Sequence, residues 1–341
     1  MAVLSLVFGF LFCPLGIIFG HTAKKQLKQT RQRGEAVATA GLVVGYLELS
    51  LVLLAAFAVM GSAGGGLPLW KAYLLGIVEG VTEWLPVSST GHLTIAEKLL
   101  GMRTDDTAVT GFTAVIQVGA IFAAVIYFLK DIVRIVRGFV LGLFKADQRG
   151  FDYRFGWYVI LGSVPIAVVG LAAQGLVKGP LRSLWVVAFA LILWSAVIVY
   201  AERRGRKTRG EDQVNWRDAL VIGLAQCIAL VPGVSRSGAT ISAGLLRDLD
   251  RVTATRLAFF LGIPALAAAG GYELKDALHG NTVGVPALFL GTLVSFVVGY
   301  VAIAWLIRLV ARHSIVTFVW YRVALGIVLI AALATGALAA T

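Results

Sequence analysis

The chain has 341 residues, of which 59% are hydrophobic and only 14% charged. A soluble domain carries about 25% charged residues, so the composition excludes a soluble enzyme and describes a polytopic membrane protein. The net charge of +12 does not indicate nucleic-acid binding, because the Lys and Arg residues sit in short loops and set topology by the positive-inside rule. The two cysteines, Cys13 and Cys227, lie in separate apolar segments. They show neither metal nor disulfide spacing and read as packing residues.

Residues 2–20 form an apolar run long enough to cross a bilayer. No Lys or Arg precedes it, so the charged n-region of a signal peptide is missing and a retained span is expected. A basic loop with Lys24, Lys25, Lys28, Arg31 and Arg33 follows, then a second span at about 36–60. Gly61-Ser62-Ala63-Gly64-Gly65-Gly66 reads as a flexible linker. The expected organisation is therefore a two-span hairpin (1–60), a linker (61–67) and a main unit (68–341). The hairpin carries no identifiable chemistry. Glu48, the acid of its second span, reads as a partner-facing polar residue.

The main unit opens on a polar stretch, residues 76–94. It holds Glu79, Glu83, the hydroxyls of Thr82, Ser88, Ser89 and Thr90, and His92, and Pro86 breaks it in the middle. Ionisable groups at membrane depth are costly, so by default they are functional candidates. Spans are then expected at about 108–129, 155–177, 183–200, 252–272, 283–307 and 315–338. Residues 131–145, with Arg134, Arg137 and Lys145 among apolar residues, suit an amphipathic helix on the cytoplasmic face. Pro165 and Pro264 fall inside spans, where neighbouring helices satisfy the freed backbone groups. Placing the basic loops 21–33, 130–154, 201–217 and 308–312 in the cytoplasm yields one consistent topology, with both termini outside.

A second polar stretch lies at 223–240 and aligns with the first. Gly76 and Glu79 match Gly223 and Gln226, and Leu85-Pro86 matches Val231-Pro232. After a one-residue gap, Ser88-Ser89-Thr90-Gly91 matches Ser235-Arg236-Ser237-Gly238. Each stretch is followed by three expected spans, an odd number, so the halves have inverted topology. Two broken re-entrant helices then meet near the midplane, where such folds bind ligands. The expected fold is an all-α polytopic membrane protein, an inverted repeat (about 68–200 and 218–338) of a re-entrant broken helix and three transmembrane helices.

Glu79 and Glu83 are four apart and share a helix face. Such a pair holds a hard cation through oxygen ligands or shares a proton as an acid–base pair. Ser88 and His92 are also four apart, and a hydroxyl beside an imidazole is the minimal activated nucleophile. His92 is alternatively the nucleophile itself or a general acid. Gly91 lets a ligand approach the backbone. The planar guanidinium of Arg236 suits bidentate contact with phosphate oxygens. Ser235, Ser237 and Thr240, with the N–H groups of a Gly-rich turn at a helix start, form an anion nest. Together these groups fit a phosphorylated lipid bound with a metal inside the membrane.

The stretches Glu-Gly-Val-Thr-Glu-Trp-Leu-Pro-Val-Ser-Ser-Thr-Gly-His (79–92) and Pro-Gly-Val-Ser-Arg-Ser-Gly-Ala-Thr (232–240) closely resemble the two signature motifs of the undecaprenyl-diphosphate phosphatase family, the bacitracin-resistance type. The resemblance runs from about 68 to the C-terminus and includes Gln117 in Ile-Gln-Val-Gly and Asp218 with Gly223 and Gln226. It implies hydrolysis of undecaprenyl diphosphate to undecaprenyl phosphate and inorganic phosphate in the bacterial cell membrane. It also implies a divalent cation, Mg²⁺ or Ca²⁺, and a site open to the outer face. On this resemblance Glu79 and Glu83 are the catalytic or metal-binding acids, and Ser88, Ser89 and His92 the nucleophile region. Arg236 would clamp the diphosphate with Ser235, Ser237, Gly238 and Thr240, and Thr90, Gly91, Gln117 and Gln226 would complete its surroundings. The extension 1–66 is not usual in the family. It resembles a small two-helix membrane module of unknown function.

A transporter or flippase of phosphorylated polyprenyl lipids is the competing function, because inverted repeats with broken helices are a transporter architecture. Pure anion binding gains nothing from two extra carboxylates, which favours the hydrolase. Beyond the lipid substrate and the bilayer no partner is expected, and the sequence leaves a homo-oligomer open.

Overall fold

A segment crosses a bilayer only if its backbone N–H and C=O groups are satisfied internally, and in a single segment only a helix achieves this. The computed structural model of the chain is accordingly helical, with no strand among the described residues. It describes residues 13–30, 37–42, 44–46, 50, 66–103, 106–173, 175, 176, 181, 183–279 and 283–339. Two units emerge, Met1–Trp70 and Lys71–Thr341.

In the first unit, α1 (Cys13–Thr30) is one continuous helix. It runs through Lys24, Lys25 and Lys28, so the stretch expected as a loop is helical to Thr30. Lys and Gln are good helix formers, and no Gly or Pro interrupts residues 21–30. Most of the two expected spans at 2–20 and 36–60, and of the linker, lies outside the described residues.

From there the chain continues as α2 (Leu69–Thr82), of which all but the first two residues belong to the second unit, α3 (Ser89–Leu99), α4 (Thr107–Tyr127), α5 (Leu129–Phe144), α6 (Phe151–Ala172) and α7 (Leu184–Arg204). The later half holds α8 (Trp216–Ile228), α9 (Arg236–Leu246), α10 (Arg251–His279), α11 (Val285–Val310) and α12 (Thr317–Ala334). Among the described residues, six helices are long and apolar enough to cross a membrane: α4, α6, α7, α10, α11 and α12. They coincide with the six expected spans. The expected amphipathic helix is α5. It exposes Val133, Val136, Val140 and Leu143 along one stripe, while Arg134 turns to Asp152 at 3.1 Å. By contrast α2 and α3 have 14 and 11 residues, and α8 and α9 have 13 and 11. At about 1.5 Å per residue none of these crosses about 30 Å of hydrocarbon. Each pair forms a re-entrant hairpin.

The halves exchange their broken helices. A Cβ added to Gly76 on α2 would meet the Gly291 carbonyl of α11 at 2.6 Å. In the other half, Gly223 on α8 abuts the Gly162 carbonyl of α6. Equivalent glycines therefore let each half-helix pack backbone to backbone against a span of the opposite repeat. The spans α4 and α10 pack on each other, and so do α7 and α12. The core beside the hairpins is aromatic: Phe259 meets Trp84 edge to face at 4.9 Å and Phe128 at 5.8 Å.

Ion pairs close the mouth of the second hairpin. Buried Asp218 at the start of α8 receives Arg209 at 2.6 Å and Arg247 at 2.9 Å. Burial pushes the Asp218 carboxyl up, but the hydrogen bonds from Arg209, Arg247 and the Asn215 N–H outweigh it and hold it below its ordinary value. Asp218, one of the positions matched by resemblance, thus anchors the hairpin.

Candidate active site

The two Pro-containing turns face each other and are stitched reciprocally. Ser88 and Ser235 cap α3 and α9, both with left-handed φ values, 79° and 77°. Ser88 Oγ accepts the Gly91 N–H of its own helix and the Gly233 N–H of the opposite turn, the latter at 3.0 Å. In return Ser237 Oγ donates to the Leu85 carbonyl at 2.8 Å. Ser235 Oγ accepts the Gly238 N–H at 3.2 Å, and Thr240 Oγ1 donates to the Arg236 carbonyl at 2.8 Å. The hydroxyls of Ser88, Ser235 and Ser237 are therefore engaged in caps and cross-links, and that of Thr240 bonds back within α9. Left-handed backbone at a non-glycine residue is strained, and these reciprocal bonds hold it in both turns.

A residue that the sequence reading passed over completes the join. Arg322 of α12 is fully buried. Its Nη1 donates to the Pro86 carbonyl at 3.0 Å, and its Nη2 to the Gly233 carbonyl at 2.9 Å and the Val234 carbonyl at 3.2 Å. Its Nε donates to Ser195 Oγ on α7 at 3.2 Å. One guanidinium fork thus fixes both turns, a geometry that an ammonium does not reproduce. The available signal was a lone arginine within an apolar run, which flags function in a membrane.

Glu83, Ser89 and Arg236 come together across this join. Ser89 Oγ donates to Glu83 Oε2 at 2.5 Å, and Arg236 Nη2 donates to Glu83 Oε1 at 3.1 Å. Glu83 is buried, and Ser89 opens α3 half-buried. The Arg236 guanidinium lies over the Trp84 ring, 4.9 Å from its centroid, a favourable cation–π geometry. Trp84 is fixed in turn by its indole N–H to the Ala120 carbonyl at 3.0 Å. On its other side Arg236 fills the space that a side chain at Gly262 would occupy, since a Cβ there would overlap Nη1. Trp84 and Gly262 therefore hold the arginine, and nothing in the sequence pattern singled out Gly262. Nε and Nη1 of Arg236 are buried and unpartnered among the described residues.

Glu79 lies one turn before Glu83 on α2, fully buried, with both carboxylate oxygens unpartnered among the described residues. A bare carboxylate in that position requires a counter-charge or a proton. Two carboxylates one turn apart suit a hard cation completed by oxygens from another molecule, so the donor set fits a divalent ion shared with a ligand. No cluster of three or more His, Cys, Asp or Glu side chains able to hold a metal occurs among the described residues.

His92 points to a different neighbour. Its Nδ1–H donates to the Ser88 carbonyl at 2.7 Å, which leaves Nε2 to accept the Tyr321 hydroxyl at 2.6 Å. The rings stack with centroids 5.5 Å apart. The remaining expected site residues differ in exposure. Thr90 is exposed on the first turn of α3, while Gly91 and Gly238 are buried at the two helix starts. Gln226, the counterpart of Glu79, is buried with Oε1 unpartnered among the described residues. Gln117 is half-buried on α4, three residues before Ala120.

The family model described as bacitracin resistance protein BacA matches residues 72–328, and a domain of unknown function (DUF4190) matches residues 1–55. The chain is 58% identical over 270 residues to undecaprenyl-diphosphatase 1 of Streptomyces avermitilis, covering 79% of this chain and 97% of the relative. It is equally identical, with the same coverage, to undecaprenyl-diphosphatase 1 of Streptomyces coelicolor. Undecaprenyl-diphosphatase of Mycobacterium marinum is 48% identical over 284 residues, covering 82% of this chain and all of the relative. With its motif-bearing hairpins inside a match that spans most of its length, the chain belongs to the bacitracin resistance protein BacA family.

Proposed function

We propose that this protein hydrolyses undecaprenyl diphosphate to undecaprenyl phosphate and inorganic phosphate within the membrane. That reaction recycles the carrier lipid for cell-wall synthesis and confers resistance to bacitracin. The observation that carries the assignment is the Ser89–Glu83–Arg236 constellation beside the unpartnered carboxylate of Glu79.

In this proposal Ser89 Oγ attacks the terminal phosphorus in line. Its proton passes to Glu83, the O–P bond forms, and the bond from phosphorus to the bridging oxygen breaks, so undecaprenyl phosphate leaves with that oxygen. Water then hydrolyses the phosphoserine and inorganic phosphate departs. The unpaired Nε and Nη1 of Arg236 take up charge on the phosphate oxygens, where positioned donors contribute most. Ser88, the other hydroxyl candidate, has its oxygen occupied by two backbone N–H groups, which favours Ser89. His92 and Tyr321 form a polar pair on the half-exposed side of α3, and the Tyr321 hydroxyl would turn from His92 to donate to a phosphate oxygen. Glu79 and Glu83 would hold a divalent cation. When bound it would neutralise the diphosphate oxygens. The resemblance of the two motifs to the undecaprenyl-diphosphate phosphatase family supports a site that opens to the outer face.

Phosphate release by the purified protein from undecaprenyl diphosphate, with Mg²⁺ or Ca²⁺ and with chelator, tests the assignment. Arg236→Ala and His92→Ala are expected to lose most of the activity. A wild-type protein that binds the lipid and releases no phosphate would leave only the transporter reading, and full activity in His92→Ala would remove histidine from the mechanism. Glu79→Gln is expected to raise the cation concentration needed for half-maximal rate by at least about tenfold, a shift of about 1.4 kcal/mol, read from a metal titration. Gly262→Ala should displace the guanidinium of Arg236 and lower kcat/KM by roughly a hundredfold, the scale of a misplacement of about 1 Å. An unaltered rate in that variant would show that the arginine has room elsewhere.

A further inference from the structure

The helix α5 packs its back on α6 and turns a sorted face outward. At about 100° per residue, Leu129, Val133, Val136, Val140 and Leu143 fall within a stripe about 80° wide. All five are between 44% and 56% exposed. The helix is not one of the six spans, so the stripe lies along the membrane surface rather than across the bilayer. On one edge of the stripe Phe139 joins Tyr153 and Trp157 of α6, with ring centroids 6.0 and 5.2 Å away. Trp and Tyr concentrate at headgroup level. On the other edge stand Lys130 and Arg137, exposed and without an acidic partner among the described residues. The neighbouring carboxylates are engaged elsewhere. Asp131 and Glu211 each receive Arg256 at 3.0 Å, and Asp152 receives Arg134 at 3.1 Å. The helix thus pairs its charges on the inside and leaves two bare cations beside an apolar stripe on the outside.

We propose that α5 is a docking surface for anionic phospholipid, with Lys130 and Arg137 on the headgroups and the valine stripe among the acyl chains. The proposal does not depend on the hydrolase reading. A helix of this pattern binds through its apolar area and through attraction to anionic lipid. Lys130 and Arg137 are seven residues apart, about 10 Å along the axis. One phosphate does not bridge that distance, so the pair suits two neighbouring headgroups of a leaflet rather than a single enclosed ligand. A zwitterionic lipid also offers a phosphate, but its own ammonium cancels the net attraction, which selects an anionic one. A second copy of this chain is the other occupant to be considered. A two-fold contact sets the same patch against itself, and here that would bring like cations together.

Native mass spectrometry of the full chain in neutral detergent tests this, with phosphatidylglycerol and phosphatidylcholine of identical acyl chains as probes. The first two phosphatidylglycerol molecules should bind wild type at least about tenfold more tightly than phosphatidylcholine, the scale set by two cations near a surface. Lys130→Gln/Arg137→Gln should bring the two lipids to equal affinity. Arg203→Gln/Arg204→Gln is the control: it removes two exposed arginines at the end of α7 and should leave the preference as in wild type. Both double variants should keep the lipid-free Tm, because none of the four side chains has an acidic partner among the described residues. Equal binding of the two lipids by wild type overturns the proposal. So does an equal loss of preference in the two double variants, which would show charge spread over the whole end of the molecule. A homodimer in detergent that Val136→Glu dissociates would assign the stripe to a second copy and overturn it as well.

Discussion

Ser89→Ala is expected to lower kcat for phosphate release by at least about three orders of magnitude, the scale of removing a nucleophile that works with a paired base. The expectation rests on the 2.5 Å bond from Ser89 Oγ to Glu83 Oε2. Glu83→Gln should cost about as much, because an amide is a poor base and, with its oxygen on the Arg236 donor, presents only NH₂ to Ser89 Oγ. The double variant Ser89→Ala/Glu83→Gln should be hardly worse than either single one, since residues acting as a unit are not additive. Binding separates the roles. Ser89→Ala removes no group that holds the diphosphate, so it should retain affinity for the lipid, measured by equilibrium binding, whereas Arg236→Ala should not. A Ser89→Ala protein within tenfold of wild-type turnover would return the nucleophile to Ser88, His92 or water.

Arg322→Met should cause the largest loss of stability of any single change near the site. The substitution leaves the carbonyls of Pro86, Gly233 and Val234 and the hydroxyl of Ser195 without their buried donor. A buried acceptor left unpaired costs about 1–3 kcal/mol, so the total is about 4 kcal/mol or more. An apparent Tm lower by on the order of 10 °C in detergent is expected. Arg322→Lys should rescue little, because one ammonium cannot reach groups spread over three elements. Wild-type stability in Arg322→Met would mean that the serine cross-links alone hold the turns.

The second hairpin shows how far the repeat was legible. Gly76/Gly223 and Pro86/Pro232 were visible as matched positions, and in the structure each glycine marks a close backbone crossing with the opposite repeat. The roles of the serines were not visible. Ser88 and Ser89 are neighbours of the same chemistry, yet Ser88 caps α3 and bonds the opposite turn while Ser89 reaches Glu83. A left-handed residue at 88 turns the two side chains apart, and no spacing rule foretells which of two adjacent serines takes the cap. The hydroxyls of Ser235, Ser237 and Thr240 suggested an anion nest for the same reason. Hydroxyl-rich helix starts serve anions and caps with one chemistry, and only the positions of Leu85 and Gly238 show which use occurs here.

His92 was expected beside Ser88, and the two do meet, through the backbone carbonyl and not the hydroxyl. Its partner Tyr321 lies 229 positions away, beyond any local pattern. The basic stretch after α1 begins was expected as a loop from its charge alone. Lys and Gln continue a helix as readily as they end a span, and charge by itself does not distinguish the two.

The sequence by itself determined the membrane class, the six spans, the two inverted hairpins and the set of reactive side-chain types. Those follow from hydropathy and local spacing, quantities set over a few turns of chain. Only the tertiary structure decided which acid holds Ser89 and Arg236, and which is left bare at Glu79. It also placed Arg322, Tyr321, Trp84 and Gly262, because these act across the repeat interface. There, contact is fixed by how helices pack and not by their separation along the chain.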